Sequence, residues 1–281
     1  MSRVAIVIDS VSDMPPEVAA RQGIIIVPLE VSFGDQKFRA ITELTTEQFW
    51  QRMLTPGAPL PTTAAASPGE FKVVFETAFE QGAEAIICID VSGELSGTVK
   101  SARIAAAMLE GREIHVIDSR TASMGFGMLA QMAAELAEQG MPAAEIAQIV
   151  ETRKADVDLY VALDTLEYLK RGGRISGASA AVGSMLSIKP IITVIDGVVE
   201  KADQVRTRTK ARERTLQLLT AHPLERATVL HSTDAEVEEF RDQFQARSGL
   251  ADSQIQVMTI GPSVGPHVGP GCVGATILRR R

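Results

Sequence analysis

The sequence predicts a two-domain α/β protein, in which a Rossmann-like N-terminal domain with a parallel sheet precedes a C-terminal α+β domain with a mixed or antiparallel sheet. Its 281 residues exceed the usual size of one domain. In the first half, short β-branched runs alternate with alanine-rich helical segments, which is typical of a buried parallel sheet. In the second half, Asp196-Gly197 predicts an antiparallel hairpin. We place the two domains at residues 1–155 and 156–281.

Four strands and three helices are predicted in the first domain. The β-branched runs indicate strands at residues 4–8, 24–27, 85–89 and 114–117. Ser67, Pro68 and Glu70 have the spacing of a capping box with proline at the first helical position, so a helix is expected to begin near residue 68. Two longer helical periods follow at residues 124–139 and 142–154, and Gly140 separates them.

The second domain is predicted to alternate strands with helices. In chain order, we expect a strand from residue 159, a short helix, a loop at 170–174, an Ala/Gly/Ser-rich helix through 185, hairpin strands at 190–195 and 198–204, strands at 228–231 and 254–260 on either side of a charged helix, a loop at 261–271 and a closing strand. The sequence contains neither an internal repeat nor a low-complexity segment.

Composition and spacing exclude several classes of function. A net charge of −7 and an aromatic content of 4% argue against nucleic-acid binding. Cys88 and Cys272 stand alone in apolar runs, and the four histidines lack metal-ligand spacing, so we expect neither a disulfide framework nor a metal site. No stretch reaches about 18 uninterrupted apolar residues and no signal peptide is recognisable. We expect a cytoplasmic protein without an integral membrane segment.

Hydroxyl groups precede or follow predicted elements of the first domain at two places. Thr62 and Thr63 come shortly before the helix at residue 68, and Ser96, Gly97 and Thr98 follow the strand that ends at residue 89. Loops at the carboxyl ends of parallel strands line ligand clefts, and helix N-termini there offer N–H donors to an anion. The alternative is that these hydroxyls only cap helices.

The loop at residues 261–271 holds His267 among glycines and prolines. Such a loop allows a close approach of backbone to ligand and positions an imidazole as a hydrogen-bond partner. The alternative is a structural turn with an incidental histidine. Ser263 lies in a G-x-S-x-G pattern, but prolines follow where a nucleophile elbow would continue into a helix, so we reject a serine nucleophile.

Basic residues form local clusters in this acidic protein. Lys170, Arg171 and Arg174 surround a Gly-Gly turn, and five further cations alternate along residues 206–214. They indicate an anionic partner, or alternatively a solvated face. A G-x-G-x-x-A pattern at residues 125–130 begins too far beyond the preceding strand for dinucleotide binding, and no P-loop occurs, so no cofactor is expected.

Several motifs in one order make the sequence resemble the DegV family over nearly its whole length. These motifs are Asp9-Ser-Val-Ser-Asp13, Ser67-Pro-Gly-Glu-Phe71, Leu95-Ser-Gly-Thr98, Val116-Ile-Asp-Ser119, Leu166-Glu-Tyr-Leu-Lys-Arg-Gly-Gly-Arg174, Ile188-Lys-Pro-Ile191 with Asp196-Gly197, Arg206-Thr-Arg208 and Gly265-Pro-His-Val-Gly-Pro-Gly271. The resemblance implies a protein that binds a long-chain fatty acid in a buried tunnel between its domains. It further implies that a separate ATP-dependent fatty acid kinase, and not this chain, makes the acyl phosphate.

The resemblance also implies which residues hold the carboxylate. The family's threonine, serine and histidine fall on Thr63, Ser96 and His267, and we add the adjacent Thr62 and Gly97 to the expected site. The chain departs from the family pattern at residues 64–66, where three alanines replace Ser-Gln-Pro, and at residue 99, where valine replaces a frequent tyrosine. We expect residues 122–129 and 178–186 to line the acyl tunnel.

Two further expectations concern where the basic residues and His267 lie relative to the hydroxyl groups. We expect Lys170, Arg171, Arg174 and Arg206 to dock a partner, because they are clustered outside the hydroxyl-rich loops. We expect His267 within hydrogen-bond reach of the carboxylate or of Ser96. The remaining alternatives are an enzyme acting on an acyl or phosphorylated small molecule with His267 as general acid or base, and a regulatory interaction protein.

Overall fold

The computed structural model describes residues 4–175 and 188–281. The strands of this part are β1 (Val4–Asp9), β2 (Ile24–Val27), β3 (Glu30–Phe33), β4 (Gln36–Arg39), β5 (Pro61–Ala64), β6 (Ala85–Asp90), β7 (Glu113–Asp118), β8 (Val157–Ala162), β9 (Lys189–Ile195), β10 (Val198–Val205), β11 (Leu224–His231), β12 (Ile255–Thr259) and β13 (Val273–Arg279). The helices are α1 (Pro16–Arg21), α2 (Thr46–Met53), α3 (Pro68–Glu80), α4 (Thr98–Ala107), α5 (Met124–Glu138), α6 (Ala143–Arg153), α7 (Glu167–Arg171), α8 (Arg208–Leu219), α9 (Val237–Ser248) and α10 (Gly265–Val268).

A parallel four-stranded sheet forms the centre of the first half. Its order is β2-β1-β6-β7, and every pairing in it is parallel. All six residues of β6 are buried, because α3 and α4 cover one face of the sheet while α5 packs on the other. The predicted parallel sheet and its four strands are therefore confirmed.

The predicted helix boundaries are also confirmed. Ser67 caps α3: its hydroxyl accepts a bond from the Glu70 amide at 3.3 Å, and the Ser67 amide donates to the Glu70 carboxylate at 2.7 Å. Gly140 ends α5 with φ at +81°, the left-handed region that glycine enters without strain, so the chain turns there into α6.

A second, three-stranded sheet in the first half was not predicted. β3 pairs in antiparallel fashion with β4 and with β5, in the order β4-β3-β5. Our placement of Thr62 and Thr63 in a loop before α3 is wrong, because both lie in β5, where Thr63 is opposite Val31. The sequence of β5 is Pro-Thr-Thr-Ala, too short and polar to show a strand period.

The second half contains a six-stranded mixed sheet in the order β10-β9-β8-β13-β11-β12. Among the strands described, β11 and β12 form its one parallel pair. Asp196 and Gly197 have φ of 51° and 85°, as the predicted tight hairpin turn between β9 and β10 requires. Helices α8 and α9 cover one face of the sheet, and the other face is directed towards the first half.

Helix α5 joins the two halves, since it packs against β1 and against β13. Strands of the parallel sheet lie within residues 4–118 and those of the six-stranded sheet within residues 157–279, while the boundary at 155 stays a prediction. The helix expected through residue 185 and the lining expected at 178–186 lie outside the described residues. In residues 4–175 and 188–281, no helix is long and apolar enough to cross a membrane.

Candidate functional site

A cavity of about 100 Å³ lies between the two halves, and its walls are mostly aliphatic. Among residues 4–175 and 188–281, sixteen apolar side chains line it: Val11, Leu29, Ala65, Val91, Leu95, Ala122, Leu159, Val161, Leu169, Ile192, Val194, Val199, Leu230, Ile260, Val264 and Val268. Six polar ones complete the lining: Thr63, Ser96, Ser123, Arg174, Ser263 and His267. Of the stretch 122–129 that we expected to line the site, only Ala122 and Ser123 do so.

Thr63 and His267 meet in this cavity across the two halves. Thr63 is on β5, and His267 is on α10, a four-residue helix within the loop at 261–271 that we did not predict. Thr63 Oγ1 lies 2.9 Å from His267 Nε2, a hydrogen bond whose direction depends on the imidazole tautomer. The hydrogen-bond partner that the structure gives His267 is thus Thr63, while its approach to a bound carboxylate or to Ser96 stays a prediction.

The imidazole of His267 is held in a partly buried position. Its Nδ1 is buried and has no hydrogen-bond partner among the described residues, and a methyl group on Gly172 would lie only 2.2 Å from that atom. Burial, together with the positive charge of Arg174, lowers the pKa of His267 from its ordinary value of 6.5 to about 4. At neutral pH the ring is therefore uncharged, with one N–H donor and one acceptor.

Ser96 lies in the turn that leads into α4. Its hydroxyl is 2.7 Å from Thr98 Oγ1 and accepts a bond from the Thr98 amide at 3.3 Å. Because the hydroxyl has further bonding capacity and lines the cavity, it is available to a ligand. Gly97 caps α4 and is exposed beside Ala65, whereas the exposed Thr62 does not line the cavity.

Arg174 also lines the cavity, so our expectation that it lies apart from the hydroxyl-rich loops is wrong. Its Nε donates to the carbonyl of Leu95, next to Ser96, at 3.1 Å. The physical reason is the turn at Gly172-Gly173: Gly173 has φ at +71°, and the Arg174 amide bonds back to Leu169 O at 3.0 Å. This reversal of the chain directs the side chain inward.

The other predicted docking residues are on the surface. Lys170, Arg171 and Arg206 are exposed, and Arg171 pairs with Glu167 one turn earlier on α7. Because only Gly172 and Gly173 separate α7 from Arg174, the exposed Lys170 and Arg171 lie close in the chain to the cavity lining. A partner-docking role for these residues stays a prediction.

Three buried aspartates close to the cavity had no predicted role. Asp9 accepts bonds from the amides of Val11 at 2.7 Å and Val91 at 2.8 Å, and burial raises its pKa to about 7. Burial also raises the pKa of Asp90 well above its ordinary range, and repulsion from Asp9 adds to the shift. Asp13, whose pKa burial raises to about 7, connects the two halves. The Asp9–Asp13 motif was the available signal, but the sequence gives no partner for either carboxyl.

Chemically, the site combines two environments. Hydroxyl, imidazole and guanidinium groups from Thr63, Ser96, His267 and Arg174 line a cavity whose remaining walls are mainly aliphatic. Such a set suits a ligand with one hydrogen-bond-accepting or anionic group attached to an apolar body.

Comparisons with known proteins agree over the whole chain. A model of the family described as uncharacterised DegV-family proteins matches residues 3–280. A DegV domain-containing protein of Deinococcus radiodurans is 36% identical over 281 residues, which cover 98% of each chain. The solved structure of a fatty-acid-binding DegV family protein from Thermus thermophilus has 36% identity and a TM-score of 0.91, covering 99% of this chain and 100% of that one. A stearic-acid-binding protein from Eubacterium ventriosum has 27% identity and a TM-score of 0.89, with 98% of each chain covered.

Proposed function

Since this chain belongs to the DegV family, we propose that it is a fatty-acid carrier that holds a long-chain acid in the cavity between its halves. We further propose that it presents the carboxylate to a separate ATP-dependent fatty acid kinase. The observation that supports this function best is the meeting of Thr63, Ser96, His267 and Arg174 in one mainly aliphatic cavity.

The polar residues suit a carboxylate. A buried carboxylate without partners would cost several kcal/mol, so a binding site must supply donors. Thr63 and Ser96 each offer a hydroxyl, and the uncharged His267 offers one N–H. Arg174 adds a positive charge beside the Ser96 turn, which favours an anion at this place.

The remaining lining suits an acyl tail. Valine, leucine and isoleucine side chains from both halves surround the cavity, and burial of each methylene group contributes about 0.8 kcal/mol before ordering costs. A tail of about 14 to 18 carbons would therefore remain bound through purification.

Chemical extraction tests the carrier function directly. Protein purified from a bacterial host should release a stoichiometric fatty acid of about 14 to 18 carbons into organic solvent, as identified by mass spectrometry. Ser96→Ala should reduce the retained amount, because it removes a charge-assisted hydrogen bond of about 1.5 to 3 kcal/mol. Ser253→Ala, at an exposed position outside the cavity lining, is the matched control.

A negative result would be unambiguous. If extraction yields no lipid, and if added palmitate or oleate leaves the melting temperature unchanged although binding must raise it, the carrier function fails. Turnover of an acyl or phosphorylated small molecule by the chain alone would then favour the enzyme with His267 as acid or base.

The proposed kinase step has its own test. Lys170, Arg171 and Arg206 offer exposed cations to a partner surface, and α7 places the first two beside the turn that ends at Arg174. Arg171→Glu should slow ATP-dependent acyl phosphate formation by an added kinase, while Arg21→Glu, on the exposed side of α1, should not. Lipid content should stay unchanged in both; loss of lipid in Arg171→Glu would contradict docking.

His267 should matter more for transfer than for retention. His267→Ala leaves the aliphatic walls and the hydroxyls in place, so we expect bound lipid to fall less than the rate of acyl phosphate formation. Equal losses of the two would indicate that the histidine only holds the ligand.

A further inference from the structure

Residues 260–269, the histidine segment, contain His267 and are hydrogen-bonded to the first half of the molecule at their N-terminal end. The indole of Trp50 donates to Ile260 O at 2.8 Å, the amide of Gly261 donates to Asp13 Oδ1 at 2.8 Å, and Ser263 Oγ lies 2.8 Å from Ser10 Oγ. These three bonds join residues of the first half to three of the four positions 260–263, just before α10.

Asp13 is the titratable member of this set. Its carboxyl is buried and accepts two bonds, from the Gly261 amide through Oδ1 and from Ser123 Oγ through Oδ2 at 2.6 Å. Ser123 lines the cavity and precedes α5, so the carboxyl joins the histidine segment to the helix between the two halves. Asp13 itself has φ at 55°, a conformation that aspartate and asparagine adopt more readily than most residues.

The geometry leaves little freedom between Asp13 and His267. Residues 261–269 continue through consecutive turn bonds, from the Gly265 amide to Gly261 O at 2.8 Å and from the His267 amide to Val264 O at 2.9 Å. Gly265 packs against the ring of Phe49, where a methyl group would lie 2.3 Å from Cε1. A displacement of Gly261 is therefore transmitted to the imidazole.

We propose that Asp13 is a positioning residue for His267, whose buried carboxyl fixes the start of the histidine segment and thereby keeps Nε2 within hydrogen-bond distance of Thr63. The inference rests on the proposed function in one respect, because the positioned imidazole is taken to face a carboxylate ligand. The anchoring itself concerns only residues of this chain.

Two substitutions separate anchoring from charge. Asp13→Asn keeps an oxygen for the Gly261 amide and turns an N–H towards Ser123 Oγ, which can accept it, and asparagine tolerates the backbone conformation. Asp13→Ala removes both bonds. Asp35→Asn, at an exposed turn between β3 and β4, is the control for loss of one carboxylate.

The readout is the NMR titration of the His267 ring in the protein stripped of lipid. In the wild type and in Asp13→Asn the ring should titrate near pH 4. In Asp13→Ala the released segment should admit water, and the pKa of His267 should move towards 6.5. Oleate affinity should fall about tenfold in Asp13→Ala and by less than threefold in Asp13→Asn.

The outcomes are distinct. An Asp13→Ala protein that melts at a lower temperature but keeps the wild-type titration of His267 would show that Asp13 is only structural and would overturn the inference. If Asp13→Ala does not fold, Ser123→Ala, which removes the second partner of the Asp13 carboxyl, decides by the same titration: a His267 pKa unchanged from the wild type would overturn the inference. If the wild type binds no oleate, the proposed function fails, while the titrations still report on the anchoring.

Discussion

Replacement of His267 by glutamine should change how the stability of the protein depends on pH. The folded-state pKa of His267 is about 4 against an ordinary value of 6.5, so between these values the unfolded chain binds more protons than the folded one. The free energy of unfolding therefore rises with pH across this window. The part of it that depends on an uncharged His267 is fully present above pH 6.5 and is lost as the pH falls towards 4. Glutamine cannot titrate, and its amide can occupy the place of Nε2 beside Thr63 Oγ1.

The size of the effect follows from the shift. A difference of 2.5 between the two pKa values corresponds to about 3 kcal/mol when the window is crossed completely, of which about 2 kcal/mol is reached at pH 5. Burial of Asp9 and Asp13 acts in the opposite direction over the same range, because their pKa values are raised to about 7. Only the difference between wild type and variant isolates His267.

Urea denaturation at pH 7 and pH 5 provides the assay. On going from pH 7 to pH 5, the wild type should lose about 2 kcal/mol more of its free energy of unfolding than His267→Gln does. Equal losses in the two proteins would refute the reasoning, since they would show that the ring is as easily protonated in the folded state as in the unfolded chain.

Three further predictions concern the fold around the site. Gly265→Ala should lower the free energy of unfolding by about 1 to 3 kcal/mol in the same assay, because the added methyl group meets the Phe49 ring. Gly69→Ala on α3 should not destabilise, because its methyl group would meet only Ser67 Oγ, at an ordinary contact distance of 3.9 Å. The raised pKa of Asp13 stabilises the wild type at low pH, and this contribution is lost as the pH rises from about 4 to 7. Asp13→Asn lacks this contribution, so its free energy of unfolding should fall less over the same range; identical pH dependence of the two proteins would contradict this. Ser67→Ala should lower the melting temperature through loss of the α3 cap, at a cost of about 1 kcal/mol.

Elements with local signals were predictable from the sequence. The cap at Ser67 and the turn at Asp196-Gly197 depend on neighbouring residues alone, and both are present. Strand β5 has no such signal, because it pairs with a segment about 30 residues away, as Thr63 does with Val31. Short polar strands of this kind are set by tertiary contacts and not by propensity.

The sequence predicted which residues form the candidate site better than it predicted how they are arranged. Family resemblance pointed to Thr63, Ser96 and His267, but the bond between Thr63 and His267 joins positions 204 residues apart, which no pattern in the sequence specifies. Arg174 was misplaced because the reversal at Gly173 turns its side chain away from that of Arg171. The anchoring by Asp13 was missed because its partner, Gly261, is 248 residues distant.

The position of β13 has a consequence for biosynthesis. This strand follows all others of its sheet in the chain, yet it lies between β8 and β11. While the ribosome has not yet released residues 273–279, β8 and β11 each present an unpaired edge, and the two groups of strands cannot join. His267 precedes β13 by only a few residues, so its ring reaches Thr63 at the same late stage. Nascent chains are thus exposed to edge-to-edge aggregation until the ligand cavity itself is complete.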